Sequence, residues 1–266
     1  MDLEEITLQA IELVRETGAF LREETHKFTE DDIEEKGIHN LVTYVDKEAE
    51  RRLVSGLSNL VTDTGFIVEE NQSLKPAEVM NWIIDPLDGT TNYIHRIPVF
   101  SISVALQKDD EYILGIVYEP GRDECFYTWE GAPAYLNGNP VSVSDTAVLD
   151  DSLLATGFPY HDYSRMKPYL ALFDDLMRNS RGIRRLGSAA VDLAYVACGR
   201  FDVFYEYGLN LWDIAAGVLL VRNAGGKVTD FINGKGFAEE KNIVASNGKI
   251  HREFLDKVAH HFQGDS

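Results

Sequence analysis

The sequence predicts a mixed α and β protein built from two unlike halves. In residues 1–148, two amphipathic helical patterns precede a series of short apolar strands, which favours helices packed on a largely antiparallel sheet. From residue 149 to 266, strand and helix patterns alternate, as they do in α/β structures. No repeat, low-complexity run or linker-like stretch separates the halves. We therefore expect them to pack closely as one functional unit.

Two helices and at least six strands are expected in the first half. Apolar residues recur every three or four positions over 3–26 and again over 46–60, where Asp46 could cap the helix. Residues 40–43 should be extended, and the charged stretch 29–35 should be exposed. Short apolar or alternating segments predict strands at 65–68, 82–84, 99–106, 112–118, 125–129 and 134–143. The third and fourth of these should form an antiparallel hairpin.

The second half should alternate between strands and helices. A helix is expected to begin in the segment Gly187-Ser188-Ala189-Ala190 and to run to about Cys198. The pair Gly225-Gly226 should end a later helix, at 212–223. The predicted strands lie at 153–157, 182–186, 201–206, near 228 and at 243–245. The predicted helices lie at 168–179, 187–198, 212–223 and from about 250.

Composition narrows the classes of function. Hydrophobic residues make up 44% of the 266 residues, enough for a sizeable core. The formal net charge of -19 argues against non-specific binding to nucleic acid or to an anionic membrane, because phosphates would repel it. The two cysteines lie far apart in the chain, and the acidic start does not resemble a signal peptide. We expect a cytoplasmic protein that binds neither nucleic acid nor membranes directly.

A turn after the second predicted strand carries most of the candidate chemistry. Asp85 and Asp88 lie three positions apart around Pro86, and Gly89 follows directly. The turn could aim both carboxylates and the carbonyl of Leu87 at one hard cation such as Mg²⁺. The amides that follow could then face an anion. A solvated turn of the same composition is an equally good interpretation of these residues alone.

Three more acids are candidates on weaker grounds. Glu69 follows a predicted strand, where metal ligands occur but ordinary loop residues are commoner. Asp213 starts an otherwise apolar helix, and Asp46 starts another. For both, helix capping is the simpler interpretation.

These motifs taken together resemble the inositol monophosphatase family of Mg²⁺-dependent, lithium-sensitive phosphatases. The resemblance rests on the turn Asp85-Pro86-Leu87-Asp88-Gly89-Thr90-Thr91, on Trp212-Asp213-Ile214-Ala215-Ala216-Gly217, and on the segment from Gly65 to Glu70. It covers nearly the whole chain, from Lys36 to the last predicted strand. It implies a layered α-β-α-β-α sandwich, as in fructose-1,6-bisphosphatases, and commonly a homodimer.

The resemblance also implies a role for each matching residue. Glu69, Asp85, the Leu87 carbonyl, Asp88 and Asp213 would hold two or three Mg²⁺ ions. Asp46 and Thr90 would orient and deprotonate the attacking water. The amides of Gly89 and Thr90 would hold the phosphate. The pocket for the alcohol would be lined by Ser188, Ala189, Glu206 and Asp213.

Two basic residues are left with open roles. Lys36 begins a segment that matches a family loop before Asp46. Arg184 and its neighbour Arg185 could be surface charge, could contact a phosphate, or could reach a neighbouring subunit's site.

The expected reaction is hydrolysis of a small phosphate monoester, myo-inositol 1-phosphate above others. The alternatives are 3′-phosphoadenosine-5′-phosphate and fructose 1,6-bisphosphate. Glu206 favours inositol, because an acid is a poor neighbour for a second phosphate. A non-catalytic binding protein with this fold is a less favoured alternative.

Overall fold

The computed structural model describes residues 1–27, 33–37, 40–71, 73–159 and 162–262. The helices are α1 (Leu3–Glu24), α2 (Tyr44–Leu57), α3 (Thr90–Ile94), α4 (Met166–Arg178), α5 (Ala189–Ala197), α6 (Leu211–Asn223) and α7 (His251–Phe262). The strands are β1 (Ile33–Gly37), β2 (Asn40–Thr43), β3 (Gly65–Val68), β4 (Met80–Asp88), β5 (Ser101–Lys108), β6 (Glu111–Glu119), β7 (Glu124–Trp129), β8 (Ala134–Leu136), β9 (Asn139–Val141), β10 (Leu153–Thr156), β11 (Gly182–Arg184), β12 (Val203–Tyr207), β13 (Lys227–Thr229) and β14 (Asn242–Ser246).

The first large sheet has seven strands in the order β3-β4-β5-β6-β7-β8-β9. Only β3 and β4 run parallel to each other, and the other neighbours are antiparallel. The predicted antiparallel sheet and its β5–β6 hairpin are therefore confirmed. Helices α1 and α2 pack on one face of this sheet and on each other. Leu21, Leu53 and Trp82 are fully buried in this first core.

The second sheet has five strands in the order β11-β10-β12-β14-β13. Strand β10 is parallel to both of its neighbours, whereas β14 is antiparallel to β12 and β13. Helices α4 and α7 pack against each other over its outer face. Tyr169, Leu172 and Phe254 are completely buried there.

Helices α5 and α6 lie between the two sheets and contact strands of both. Apart from the capping turn of each helix, nearly all of their residues are apolar, as expected for helices buried on all sides. Small residues allow close approach: a Cβ on Gly115 of β6 would lie 2.8 Å from the carbonyl oxygen of Ala216. The layers therefore follow the order α-β-α-β-α, and the expected sandwich is confirmed.

One helix boundary differs from the prediction in a way that matters for the site. Helix α2 begins at Tyr44, and Thr43 is its N-cap, so Asp46 is not the capping residue. Asp46 instead occupies the third helical position and closes a capping box with Thr43. A threonine with extended φ and ψ is the better cap because its hydroxyl accepts the Val45 amide at 3.1 Å.

Some expectations fall outside the described residues. Most of the charged stretch 29–35 does so, and of Lys36 only the backbone, within β1, is described. Among the helices in the described ranges, none combines the length and the apolar character needed to cross a membrane.

Candidate active site

The turn at the end of β4 is buried. Asp85 pairs with Ser103 and Asp88 with Ser101, so β4 carries one extra residue at this point, which makes a β-bulge. Asp85 is 2% exposed and Leu87 is 1% exposed. The Leu87 amide donates to Asp85 Oδ1 at 2.9 Å. This burial excludes the alternative of a solvated turn.

Gly89 reverses the chain directly after the bulge. Its φ of 91° lies in the left-handed region, and it is the N-cap residue of α3. A Cβ at this position would lie 3.0 Å from the carbonyl oxygen of Gly187, at the start of the α5 segment. Glycine therefore lets the first turn of α3 and the start of α5 face the same cleft.

Four of the acids that line this cleft come from three parts of the chain. Glu69 follows β3, Asp85 and Asp88 belong to β4, and Asp213 lies in the first turn of α6. Strand β3 is paired with β4 and α6 packs across the same sheet, which brings segments 144 residues apart, from Glu69 to Asp213, to one place. The sequence predicted all four residues as candidates.

Burial and mutual repulsion perturb these carboxyl groups. Loss of water raises the pKa of Asp85 well above its ordinary value, and the charges of Glu69, Asp88 and Asp213 raise it further. Burial followed by the Asp88 charge raises the pKa of Asp213 to about 7. Burial also raises the pKa of Asp88, against the hydrogen bond from Ser188. Such a cluster favours a bound cation, which would stabilise the charged forms.

Each of three carboxylates has one oxygen held by the protein. Asp88 Oδ2 accepts from Ser188 Oγ at 2.6 Å and from the Ala190 amide at 2.8 Å. Asp213 Oδ2 accepts from the Asn210 amide at 2.6 Å, which completes a capping box on α6. Asp85 is held by Leu87, as described above. These bonds restrict the orientation of the three carboxylates.

Asp46 and Thr90 form a second part of the site. Asp46 is 2% exposed, and its Oδ2 accepts from the Thr43 amide at 2.8 Å and from Thr43 Oγ1 at 2.6 Å. The hydroxyl of Thr90 lies 3.3 Å from Asp46 Oδ1 and 3.0 Å from the carbonyl oxygen of Leu87. Burial is the main reason that the pKa of Asp46 is raised to about 6. The predicted Asp46–Thr90 pair is therefore present, beside Leu87.

The opposite wall of the cleft comes from the second half of the chain. The start of α5, with Ser188 and Ala189, and Glu206 of β12 line it. Arg185 also lines the cleft, whereas Arg184 does not. Arg184 is exposed on β11, and its Nη1 donates to the Ile183 carbonyl at 3.1 Å. Of the two arginines with open roles, Arg185 is thus the one at the site.

Asn210 and Asp192 are two of the lining residues that had not been singled out from the sequence. Asn210 holds Asp213 through its amide, and Asp192 lies one turn into α5 with 1% exposure. Asp192 could have been noticed as the only acid in the apolar helix Ala189–Ala197. In an isolated sequence, however, an acid in a first turn is explained by the helix dipole.

The acidic residues have the donor atoms that a divalent cation needs, but their side chains do not form a complete set of ligands. Within the described ranges, no three carboxylate, imidazole or thiol groups already form a set of metal ligands. Glu69, Asp85, Asp88 and Asp213 nevertheless offer only oxygen donors, which Mg²⁺ prefers. A hard cation would also relieve the repulsion that raises the pKa values of Asp85 and Asp213.

Comparison with known proteins identifies the family to which this site belongs. The model of the inositol monophosphatase family matches residues 2–264. The chain belongs to the inositol monophosphatase family of phosphatases. The resemblance inferred from the turn, from the Asp213 segment and from the Glu69 segment is therefore confirmed.

Individual family members show how close the similarity is. The chain is 39% identical over 224 residues to an inositol-1-monophosphatase of Mesorhizobium japonicum, with 84% of each chain covered. It is 38% identical over 258 residues to a Nus factor SuhB of Pseudomonas aeruginosa, with 95% of each covered. It is 39% identical over 250 residues to a fructose-1,6-bisphosphatase/inositol-1-monophosphatase of Thermotoga maritima, with 94% of each covered.

The solved structures agree with the fold. A Thermotoga maritima IMPase matches with a TM-score of 0.86 and 37% identity, over 95% of this chain and 96% of that one. This inositol monophosphatase family member therefore shares its layered architecture with the Thermotoga maritima protein over nearly the whole length of both chains.

Proposed function

We propose that this protein hydrolyses a phosphate monoester in a Mg²⁺-dependent reaction, with myo-inositol 1-phosphate as its preferred substrate. The observation that carries the proposal is the convergence of Glu69, Asp85, Asp88 and Asp213 in one cleft with the first turn of α3. The acids would hold two or three cations. When bound, these cations would neutralise charge on the phosphate and lower the pKa of water.

The chain's own residues would divide the remaining work. The amides of Gly89 and Thr90, at the start of α3, would donate to the phosphate oxygens. The Thr90 hydroxyl would orient the attacking water, and Asp46, which lies 3.3 Å from that hydroxyl, would accept its proton. The carbonyl of Leu87 and the carboxylate of Glu69 would complete the cation ligands.

The opposite wall would bind the alcohol. Glu206 would accept hydrogen bonds from substrate hydroxyls, beside the backbone of Ser188 and Ala189 and the carboxylate of Asp213. Glu206 is 7% exposed, and the nearby negative charge of Asp213 raises its pKa further after burial. An uncharged alcohol with many hydroxyl groups therefore suits this wall better than an anionic one. Arg184 has no place in this proposal, and Lys36 stays a candidate from its sequence alone.

A bisphosphate phosphatase is the second candidate. Arg185 lines the cleft and could meet a second phosphate. The name of the Thermotoga maritima relative includes fructose-1,6-bisphosphatase. Nucleoside bisphosphates such as 3′-phosphoadenosine-5′-phosphate fall in the same group. Two acids on the alcohol wall, Glu206 and Asp192, oppose this reading and favour the monophosphate.

A panel of phosphate esters tests the proposal. Phosphate release should be fastest with inositol 1-phosphate, should require Mg²⁺ and should be abolished by a chelator. Faster turnover of fructose 1,6-bisphosphate or of 3′-phosphoadenosine-5′-phosphate would select the second candidate. No release from any ester would favour a binding protein, a role to which the name of the Pseudomonas aeruginosa relative, Nus factor SuhB, also draws attention.

We infer a cytoplasmic homodimer that binds small phosphate esters and neither nucleic acid nor membranes directly. The net charge of -19 supports the last part. Sedimentation would test the dimer, and a filter-binding assay at low salt would test the absence of nucleic-acid binding.

A further inference from the structure

Asp192 is a buried acid that neither the fold nor the proposed metal cluster uses. It lies on α5 among apolar residues and is 1% exposed, yet it lines the cleft. Its Oδ1 is fully buried and has no hydrogen-bond partner among the residues that the structure describes. A buried carboxyl oxygen without a hydrogen-bond partner destabilises the folded protein or forces the group to bind a proton.

The local structural roles that an acid could have here are already filled. Ser188 caps α5, because its hydroxyl accepts the Val191 amide at 3.3 Å. The donors that orient Asp88 are the Ser188 hydroxyl and the Ala190 amide, so Asp192 has no part in positioning Asp88. Asp192 Oδ1 is therefore left without a partner at the wall of the cleft.

Glu206 faces the same space from β12. After burial, the Glu206 charge is the largest cause that raises the pKa of Asp192. The end of β10 presses against Glu206: a Cβ on Gly157 would lie 2.1 Å from both of its carboxylate oxygens. Gly157 thus allows the Glu206 carboxylate to lie against the backbone while it lines the cleft. Two acids from different elements are held on one wall.

We propose that Asp192 is a specificity-determining residue that, together with Glu206, accepts hydrogen bonds from neighbouring hydroxyl groups of a phosphorylated polyol. This inference rests on the proposed phosphatase function and extends it. A polyol supplies several hydroxyl donors in a small volume, which matches two adjacent carboxyl groups. A substrate with a second phosphate on this side would meet two acids, so the pair also selects against bisphosphates.

The test compares two esters whose leaving groups differ in hydroxyl content. Inositol 1-phosphate carries five hydroxyls on its ring, and p-nitrophenyl phosphate carries none on its leaving group. In Asp192→Ala, the ratio of kcat/KM for inositol 1-phosphate to that for p-nitrophenyl phosphate should fall about 10-fold, most of it through KM, as expected for one lost hydrogen bond to a charged group. Asp192→Asn keeps an oxygen that can accept a hydrogen bond, so its ratio should fall less. Asp110→Asn, in an exposed turn, is the matched control.

Thermal melting supplies a second readout. An acid kept for substrate binding destabilises the empty protein, so Asp192→Asn should melt at the same temperature or higher. A lower melting temperature with an unchanged ratio of specificity constants would show a purely structural role and overturn the inference. If the wild-type protein hydrolyses both esters but the variants keep its ratio, only the role of Asp192 is wrong. If the wild type hydrolyses neither, the phosphatase proposal and this inference both fail.

Discussion

At the scale of single residues, the site depends on acids that the fold holds against their own repulsion. Asp85, Asp88 and Asp213 all have raised pKa values because burial disfavours ionisation, and neighbouring carboxylates raise the pKa values of Asp85 and Asp213 further. Each keeps at least one hydrogen bond from a backbone amide, which limits how far it can rotate. The clustered acids therefore destabilise the protein without a cation, and a bound cation would offset this repulsion.

Asp88→Asn should separate catalysis from folding. The amide oxygen of asparagine can still accept from Ser188 and Ala190, so the variant should fold. Loss of one charged ligand should reduce phosphate release by about 100-fold or more. Asp110→Asn, on the surface, should retain wild-type activity. Wild-type rates in Asp88→Asn would show that this carboxylate is not part of the machinery.

His251 predicts a pH dependence of stability that is independent of the active site. It is 1% exposed, with Nδ1 at 2.8 Å from Ser246 Oγ and Nε2 at 3.0 Å from Thr229 Oγ1. Burial, and to a lesser extent Lys227, lowers its pKa from 6.5 to about 4. Unfolded chains bind the proton first, so this contribution to stability is complete above pH 6.5 and is lost as the pH falls towards 4.

Urea unfolding at pH 7 and pH 5 measures this effect. The wild type should lose more unfolding free energy between the two pH values than His251→Gln, which cannot take up the proton. Both proteins share the contributions of all other titrating groups, so the difference isolates His251. Equal losses in the two proteins would mean that His251 titrates normally in the folded state.

At the scale of elements, the middle helices connect the two halves of the site. Helix α6 carries Asp213 and packs against β4, β5 and β6, while α5 presents Ser188 to Asp88. The position of Asp213 relative to β4 therefore depends on close packing of α6 against the first sheet. Gly115 of β6 is the point at which backbone meets backbone.

Gly115→Ala should loosen this contact. Its Cβ would lie 2.8 Å from the Ala216 carbonyl oxygen, so α6 must shift, at a cost of about 1–3 kcal/mol of unfolding free energy. Activity at a temperature where the variant is folded should also fall, because Asp213 moves with α6. Gly236→Ala is the control, since its Cβ would meet its nearest atom at 3.5 Å. Equal stability of the two variants would contradict the argument.

At the scale of the whole molecule, the four clustered acids Glu69, Asp85, Asp88 and Asp213 come from the first sheet and from the middle layer. Residues of β4 and β5 share one apolar core with α5, α6 and β12. A displacement of one half would therefore disturb the packing of the other half. Binding of a cation between Glu69, Asp85, Asp88 and Asp213 would therefore stabilise the entire fold rather than one loop.

Millimolar Mg²⁺ should raise the melting temperature of the wild type. At a free concentration 100 times the dissociation constant, the gain in unfolding free energy is about 2.7 kcal/mol, which corresponds to roughly 5 °C or more for a chain of this size. Asp85→Asn should melt higher than the wild type without Mg²⁺, because repulsion is relieved, and should respond less to the ion. An unchanged wild-type melting temperature in Mg²⁺ would contradict the metal assignment.

The sequence by itself determined most of the elements and, through the family resemblance, the layered fold and four candidate acids of the site. Strand and helix periodicity are local properties, and the bulged turn from Asp85 to Gly89 carries its chemistry within five residues. The family resemblance then linked this turn to Glu69 and Asp213. None of these steps required knowledge of which distant side chains touch.

Only the tertiary structure decided which way side chains point and which distant residues meet. It placed Arg185 rather than Arg184 at the cleft, because consecutive residues around β11 point to different sides. It made Thr43 the cap of α2, which left Asp46 free to meet Thr90. It also brought Asp192 beside Glu206, since that proximity arises where α5 packs on the second sheet, and long-range packing has no trace in local sequence pattern.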